Sequence, residues 1–139
     1  MSTREEVKEY DFLTSTQNIV QQALSALGYK DETYDLLKEP IRVLTVRFPV
    51  RMDYGKIKIF TGYRAQHNDA IGLTKGGIRI HPDISAEDVK ALSIWMTLKW
   101  GIAGVPYGGG KGGIVCDPRH MSSGEMERLC RGMYGPLVK

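Results

Sequence analysis

The sequence predicts a single α/β domain in which a mixed sheet, built from a β-hairpin and further strands, is flanked by helices. Two patterns predict it. Apolar residues recur at helical spacing near both ends and in the middle of the chain, and a period-two alternation spans residues 41–63. The length of 139 residues suits one domain that buries a real core.

Two helices are expected to open this domain. Apolar residues at helical spacing predict the first helix over 11–27, and Gly28 stops it. Asp31 is expected to cap a short second helix, which runs through Lys38 and ends before Pro40.

The alternating stretch predicts a β-hairpin. Its strands cover 41–52 and 56–63, and the turn is Asp53-Tyr54-Gly55. Pro49 lies inside the first strand and cannot donate a ladder hydrogen bond, so it indicates an edge strand or a bulge.

Glycine content and capping pairs predict the elements that follow. Residues 67–77 are expected to form a loop that leads into a short strand at 78–80. Ser85 and Asp88 form a capping box that opens a helix, and Gly104 ends it. The large apolar residues of this helix are expected in the core: Trp95, Met96 and Trp100.

The last quarter of the chain predicts one more strand and one more helix. The strand is expected at 113–117. Ser122 and Glu125 form a second capping box, and Gly135-Pro136 is expected to break the helix that they open. The domain is therefore expected to span 11–139, after a flexible N-terminus at 1–10.

Composition excludes several classes of protein. The net charge of +3 is small and its charges are scattered, so neither nucleic acid nor a membrane is an expected partner. No apolar run reaches the ~18 residues of a membrane span, and the polar start is not a signal peptide. Cys116 and Cys130 have no metal-ligand spacing and are expected to be reduced core thiols, which favours a cytoplasmic protein.

The densest chemical signal is Lys111, which has three glycines before it and two after it. A P-loop would need Gly at 105 and Ser or Thr at 112, but the chain has Val105 and Gly112. A G-x-G-x-x-G match at 108–113 precedes a strand instead of following one, so a dinucleotide site is excluded there. We expect a tight apolar turn that desolvates the amine and lowers its pKa.

Two other lysines stand at positions that can converge with Lys111: Lys75 beside glycines, and Lys99 in the last turn of the middle helix. Three ammonium groups in one crevice repel each other by roughly 3 kcal/mol per pair at ~5 Å and an effective dielectric of ~20. An anionic ligand relieves this repulsion, as does the loss of one proton. The pattern therefore predicts a site for a dianionic small molecule, with one neutral amine.

The same stretches carry a family resemblance. Over residues 12–132 the chain resembles the N-terminal, substrate-binding domain of hexameric glutamate dehydrogenases, within the Glu/Leu/Phe/Val dehydrogenase family. The matching motifs occur in order and at matching intervals: FTGYRAQHN at 60–68, KGGIRIHP at 75–82, WMTLK at 95–99 and PYGGGKGG at 106–113.

The resemblance implies a role for each of these lysines. Lys75, with Gly76 and Gly77 beside it, would bind the side-chain carboxylate of glutamate or 2-oxoglutarate, and Lys99 would bind the α-carboxylate. Lys111 would be the catalytic lysine, which polarises the 2-keto group and helps water attack the imine. Relatives that act on leucine, valine or phenylalanine carry an apolar residue in place of Lys75, so a cation there fits a dicarboxylic acid.

The family also has parts that this sequence does not show: an essential aspartate and a Rossmann domain for NAD or NADP. We therefore expect a truncated, incomplete domain that binds no cofactor itself and catalyses no deamination alone. An assembly module is the alternative, since this domain forms subunit contacts in the family and a homo-oligomer is expected. A phosphate-binding domain that uses the glycines is a third possibility.

Overall fold

A computed structural model describes residues 11–137, so the predicted flexible segment 1–10 lies outside the described residues. The helices are α1 (Phe12–Ala26), α2 (Asp31–Leu37), α3 (Ala86–Ala103) and α4 (Ser123–Leu137). The strands are β1 (Arg42–Arg51), β2 (Ile57–Asn68), β3 (Thr74–Lys75), β4 (Ile78–His81) and β5 (Gly108–Val115).

The five strands form one mixed sheet, which confirms the predicted α/β class. Strand β5 lies at its centre and pairs antiparallel with β2, which pairs antiparallel with β1. On its other edge β5 pairs in parallel with β3 and then with β4. Pro49 lies in the edge strand β1, as predicted. No second, doubly wound sheet is present within residues 11–137.

Helices cover both faces of the sheet. Helix α4 packs on one face through Leu129 and Met133, which meet Phe48 and Phe60 of the hairpin in a buried cluster. Helix α3 packs on the opposite face, and α1 packs on the outer side of α3. Helix α3 therefore covers the central strand, while α4 lies mainly on β1.

The predicted helix boundaries are mostly confirmed. Both capping boxes are present, because Ser85 and Asp88 exchange hydrogen bonds and so do Ser122 and Glu125. Gly104 ends α3 in the left-handed region at φ 67°.

Two details of the helices were predicted wrongly. Lys30, not Asp31, is the N-cap of α2, and Asp31 is the first helical residue, where its charge suits the helix dipole. Helix α4 continues through Pro136 to Leu137, because proline this close to a helix end removes only one backbone hydrogen bond.

The strands also differ from the prediction at two places. Strand β2 runs on to Asn68, and β3 forms inside the predicted loop at 67–77 because the exposed edge of β5 offers it partners. Strand β5 begins at Gly108, five residues before the predicted start at Gly113.

Candidate functional site

Lys111 lies in the middle of β5, so the predicted tight turn is wrong. Glycine was read as a turn signal, but here it lets neighbouring elements approach a central strand. A Cβ atom at Gly109 would lie 1.9 Å from Oγ1 of Thr97 on α3, so only glycine allows this helix to pack so closely on β5. The strand ladder fixes the backbone of Lys111 opposite Ala65 of β2.

The glycines after Lys75 bring the neighbouring segment against this strand. A Cβ atom at Gly76 would lie 1.5 Å from the carbonyl oxygen of Gly110, which only a glycine avoids. A Cβ atom at Gly77 would lie 3.8 Å from Nζ of Lys111, an ordinary contact distance. The predicted substrate-binding glycines therefore lie directly beside β5 and the Lys111 ammonium.

The surroundings of Lys111 disfavour its charge. Partial burial lowers the pKa of Lys111, and the nearby cations Arg79, Lys99 and Arg64 lower it further. The lowered pKa of Lys111 was predicted from its glycine neighbours. The predicted direction of the pKa shift is confirmed. Its main cause is the burial of Lys111 in a strand and not in a turn.

Lys75 and Lys99 meet at one aromatic ring. Nζ of Lys75 lies 4.7 Å from the ring centroid of Trp100, and Nζ of Lys99 lies 5.5 Å from the same centroid. Lys99 is also close enough to Lys111 to lower its pKa. Lys99 therefore lies near both of the other lysines. Trp100 is half-buried beside Lys75 and Lys99 and is not the expected core residue.

Arg64 is a site residue that the sequence analysis missed. Its guanidinium donates to the carbonyl oxygen of Gly76 at 3.2 Å and to that of Thr74 at 3.5 Å, so it holds the segment that carries Lys75. Burial lowers the pKa of Arg64.

Five cations lie in this region: Lys75, Lys99, Lys111, Arg64 and Arg79. Within residues 11–137 none of them forms an ion pair with a carboxylate. Lys111 and Arg64 are half-buried whereas Lys75, Lys99 and Arg79 are exposed, and repulsion from its cationic neighbours adds to burial in lowering the pKa of Lys111. An anion that bridges them would remove that repulsion.

The site does not fit a dinucleotide. The G-x-G-x-x-G match at 108–113 lies within β5, with a strand on each side, so it forms no strand-to-helix turn that could hold a pyrophosphate. Within the described residues no group of His, Cys, Asp or Glu side chains could hold a metal ion. No helix in the described part of the chain is long and apolar enough to cross a membrane.

A second polar region lies at the other end of the sheet. It lines an open cavity of about 470 Å³, and its carboxylates include Asp117 and Glu125. Asp117 pairs with Arg119, and Glu125 accepts hydrogen bonds from the backbone N–H groups of Asp53 and Ser122. These two carboxylates are thus compensated within the chain.

The chain is similar to known proteins over most of its length. The family described as Glu/Leu/Phe/Val dehydrogenase, dimerisation domain, matches residues 40–139. The catabolic NAD-specific glutamate dehydrogenase RocG of Bacillus subtilis is 63% identical over 132 residues, which cover 95% of this chain and 31% of that protein. An NAD-specific glutamate dehydrogenase of Staphylococcus aureus is 66% identical over 88% of this chain and 30% of its own length.

Solved structures show the same fold. Glutamate dehydrogenase from Peptoniphilus asaccharolyticus superposes with a TM-score of 0.83 at 47% identity and covers 90% of this chain. The hetero-hexameric glutamate dehydrogenase from Thermus thermophilus, in a leucine-bound form, has a TM-score of 0.85 at 38% identity and covers 96%. This chain spans 32% of each of those chains.

Proposed function

Because the chain belongs to the Glu/Leu/Phe/Val dehydrogenase family, we propose that it is the substrate-binding domain of an NAD-dependent glutamate dehydrogenase of the cytoplasm. That enzyme deaminates glutamate oxidatively to 2-oxoglutarate and ammonia. The chain spans about a third of its curated relatives, and those from B. subtilis and S. aureus are NAD-specific. The observation that carries the proposal is Lys111 together with four other cations of the same region, none of which has a carboxylate partner within residues 11–137.

The cation positions suit a dicarboxylate. Lys75 takes the side-chain carboxylate and Lys99 takes the α-carboxylate, while the 2-keto group faces Lys111. Each contact joins an ammonium to a carboxylate, and such charged hydrogen bonds contribute about 1.5–3 kcal/mol. Arg64 supports this arrangement indirectly, because it holds the backbone on both sides of Lys75.

Lys111 is proposed as the catalytic lysine. Its lowered pKa lets the ammonium donate to the oxygen that gains charge at the reacting carbon and lets the amine accept a proton afterwards. NAD would supply the hydride acceptor, but the described residues do not fit it, so the chain alone catalyses no dehydrogenation.

Calorimetric titration of 2-oxoglutarate into the 139-residue chain tests the binding site. Lys111→Met should weaken binding at least about tenfold, because it removes a cation that faces the ligand. Lys58→Met removes a lysine that lies six positions from Arg64 along β2, and it should leave the affinity unchanged. Equal effects of the two variants would contradict the proposal.

Absorbance of reduced nicotinamide tests the claim of inactivity. With glutamate and NAD the purified chain should give no signal above the blank. Turnover that persists through purification and disappears in Lys111→Ala would overturn that claim. Excess inorganic phosphate that displaces 2-oxoglutarate would instead favour the phosphate-binding alternative.

A second candidate function is subunit assembly. Strand β1 pairs only with β2 among the described residues, so its outer edge is open, and Ile57 and Ile59 next to it are 58% and 50% exposed. An open edge with apolar neighbours is typical of an interface. Sedimentation without ligand separates the candidates: an oligomer that binds no 2-oxoglutarate favours assembly, and a monomer that binds it favours the substrate site.

A further inference from the structure

Two aromatic rings lie between the lysines of the candidate site. Trp100 belongs to the last turn of α3 and follows Lys99 directly, while Tyr107 precedes the first residue of β5. Their ring centroids are 6.1 Å apart with an interplanar angle of 63°, which is an edge-to-face arrangement. We call this pair the aromatic platform.

The aromatic platform contacts Lys75 in two ways. The indole Nε1–H of Trp100 donates to the carbonyl oxygen of Lys75 at 2.9 Å, which fixes the backbone of β3. Nζ of Lys75 lies 4.7 Å from the Trp100 centroid and 5.8 Å from the Tyr107 centroid. Both the backbone and the side chain of Lys75 therefore depend on Trp100.

Lys99 shares the same indole. Its Nζ lies 5.5 Å from the Trp100 centroid, so two ammonium groups lie within the roughly 6 Å range of one aromatic ring. The electron-rich ring face attracts each cation and offsets part of their mutual repulsion. Lysine also loses much rotamer freedom when it is fixed, so a ring that positions two lysines beforehand reduces the entropic cost of binding.

We propose that Trp100, supported by Tyr107, is a positioning residue that sets the preference of the site for dicarboxylates over monocarboxylates. The inference rests on the proposed function, since it assumes that Lys75 and Lys99 each bind one carboxylate. A ligand with two carboxylates uses both positioned lysines. A ligand with one carboxylate uses only one of them, so it depends less on Trp100.

Titration of two ligands into the 139-residue chain tests this selectivity. Trp100→Leu should weaken 2-oxoglutarate about tenfold and 2-oxopentanoate, its monocarboxylate counterpart, by less than about threefold. Trp100→Phe keeps a ring without the N–H donor and should recover part of the loss. Equal weakening of both ligands, or none of either, would overturn the proposal.

Trp95→Leu is the matched control. Trp95 lies on the same helix, but its indole donates to Thr16 of α1 at 3.1 Å instead of to Lys75. Trp95 lies one turn before Lys99 and lines the same surface cavity, but it is not the indole that Lys75 and Lys99 share. This variant therefore removes a tryptophan from α3 and keeps the shared ring, so the ratio of the two affinities should stay at the wild-type value. A ratio that falls as far as in Trp100→Leu would show a general packing effect and refute the proposed role.

Proton chemical shifts test the geometry without any ligand. The ε-methylene protons of Lys75 and Lys99 should resonate upfield of ordinary lysine values because they lie near the indole face. They should return to ordinary values in Trp100→Leu, whereas those of Lys58 should not respond. Ordinary shifts in the wild-type chain would overturn the positioning role. If the wild-type chain binds neither ligand, the proposed function fails, and these shifts still decide whether Trp100 positions the lysines.

Discussion

The two ends of the sheet hold similar groups of charged side chains but compensate them differently. At the end where β1 turns into β2, Asp53 pairs with Arg128 and accepts from Ser122, and Glu125 caps the start of α4. At the end where β5 begins, Lys75, Lys99 and Lys111 have no carboxylate partner within residues 11–137. We call these the paired end and the cationic end.

The difference separates structural charges from functional ones. The Ser122 and Arg128 side chains hold the pKa of Asp53 below its ordinary value, so the folded chain favours the charged form. Burial and neighbouring cations do the opposite at Lys111, where the folded chain disfavours the charge. The carboxylates of the paired end have partners within the chain, whereas the cations of the cationic end have none within residues 11–137 and are left available to a ligand.

The largest expected effect is on the packing of the cationic end. Gly76→Ala places a Cβ atom 1.5 Å from the Gly110 carbonyl oxygen, so the segment must move away from β5. We expect a loss of about 3 kcal/mol in the free energy of unfolding, measured by urea denaturation. Gly101→Ala is the control, since nothing lies within 4 Å of its Cβ position in α3, and it should gain about 0.5–1 kcal/mol. A Gly76→Ala chain as stable as wild type would contradict this packing.

The second effect concerns ligand choice at the cationic end. Lys75→Leu should weaken 2-oxoglutarate about ten- to a hundredfold and 2-oxopentanoate far less, because only the dicarboxylate uses this ammonium. The unfolding free energy of the Lys75→Leu chain should not fall, because the substitution removes a charge that repels its cationic neighbours. Calorimetric titration of both ligands measures the difference. Lys58→Leu is the control, and an equal loss for the two ligands would refute the role of Lys75.

The third effect belongs to the paired end. Glu125→Ala removes the acceptor for two backbone N–H groups, those of Asp53 and Ser122, and should cost about 1–2 kcal/mol of unfolding free energy. Its affinity for 2-oxoglutarate should be unchanged, because the residue lies away from the cations. A variant that keeps its stability but loses affinity would reverse the assigned roles of the two ends.

The smallest effect is a pH dependence that comes from a buried histidine and not from the charged side chains of either end. His67 is buried, its Nε2–H donates to the Leu37 carbonyl oxygen at 2.8 Å, and Nδ1 lies 2.7 Å from the Thr97 hydroxyl. Burial lowers its pKa, so below the ordinary value of 6.5 the unfolded chain binds the proton first and stability falls as the pH falls.

Urea denaturation at several pH values measures how the protonation of His67 changes the free energy of unfolding. From about pH 7 to about pH 5.5 we expect the free energy of unfolding to fall, because burial lowers the pKa of His67 in the folded chain. The unfolding free energy of His67→Gln should fall less between about pH 7 and about pH 5.5 than that of the wild-type chain, because the variant lacks the titrating imidazole. An identical slope in both chains would show that His67 does not titrate differently on folding.

Much of this fold follows from local patterns in the sequence. The alternation around Phe48 predicts the hairpin, and the pairs Ser85/Asp88 and Ser122/Glu125 predict two helix starts, because each depends on residues close in sequence. Strand β3 does not follow from such patterns. Its two residues, Thr74 and Lys75, become a strand only because β5 offers a free edge more than thirty positions later.

The candidate site was predictable in its lysines but not in their surroundings. Three lysines beside glycines or at a helix end indicated a crevice for an anion. The contacts of Arg64 with Gly76 and of Trp100 with Lys75 join distant segments and leave no mark on local periodicity. The glycines around Lys111 predicted a turn because their freedom of φ is a local property, whereas the close approach of α3 is not.

The most direct test of the account is the titration of Lys111 followed by NMR of its side-chain amine, with and without 2-oxoglutarate. In the free chain the pKa of Lys111 should lie below the ordinary value of 10.5, because of burial and the neighbouring cations. Saturation with 2-oxoglutarate should raise that pKa, since two carboxylates offset the cationic end. An ordinary pKa in the free chain, or a pKa that a bound ligand leaves unchanged, would contradict the claim that the uncompensated cations form a dicarboxylate site.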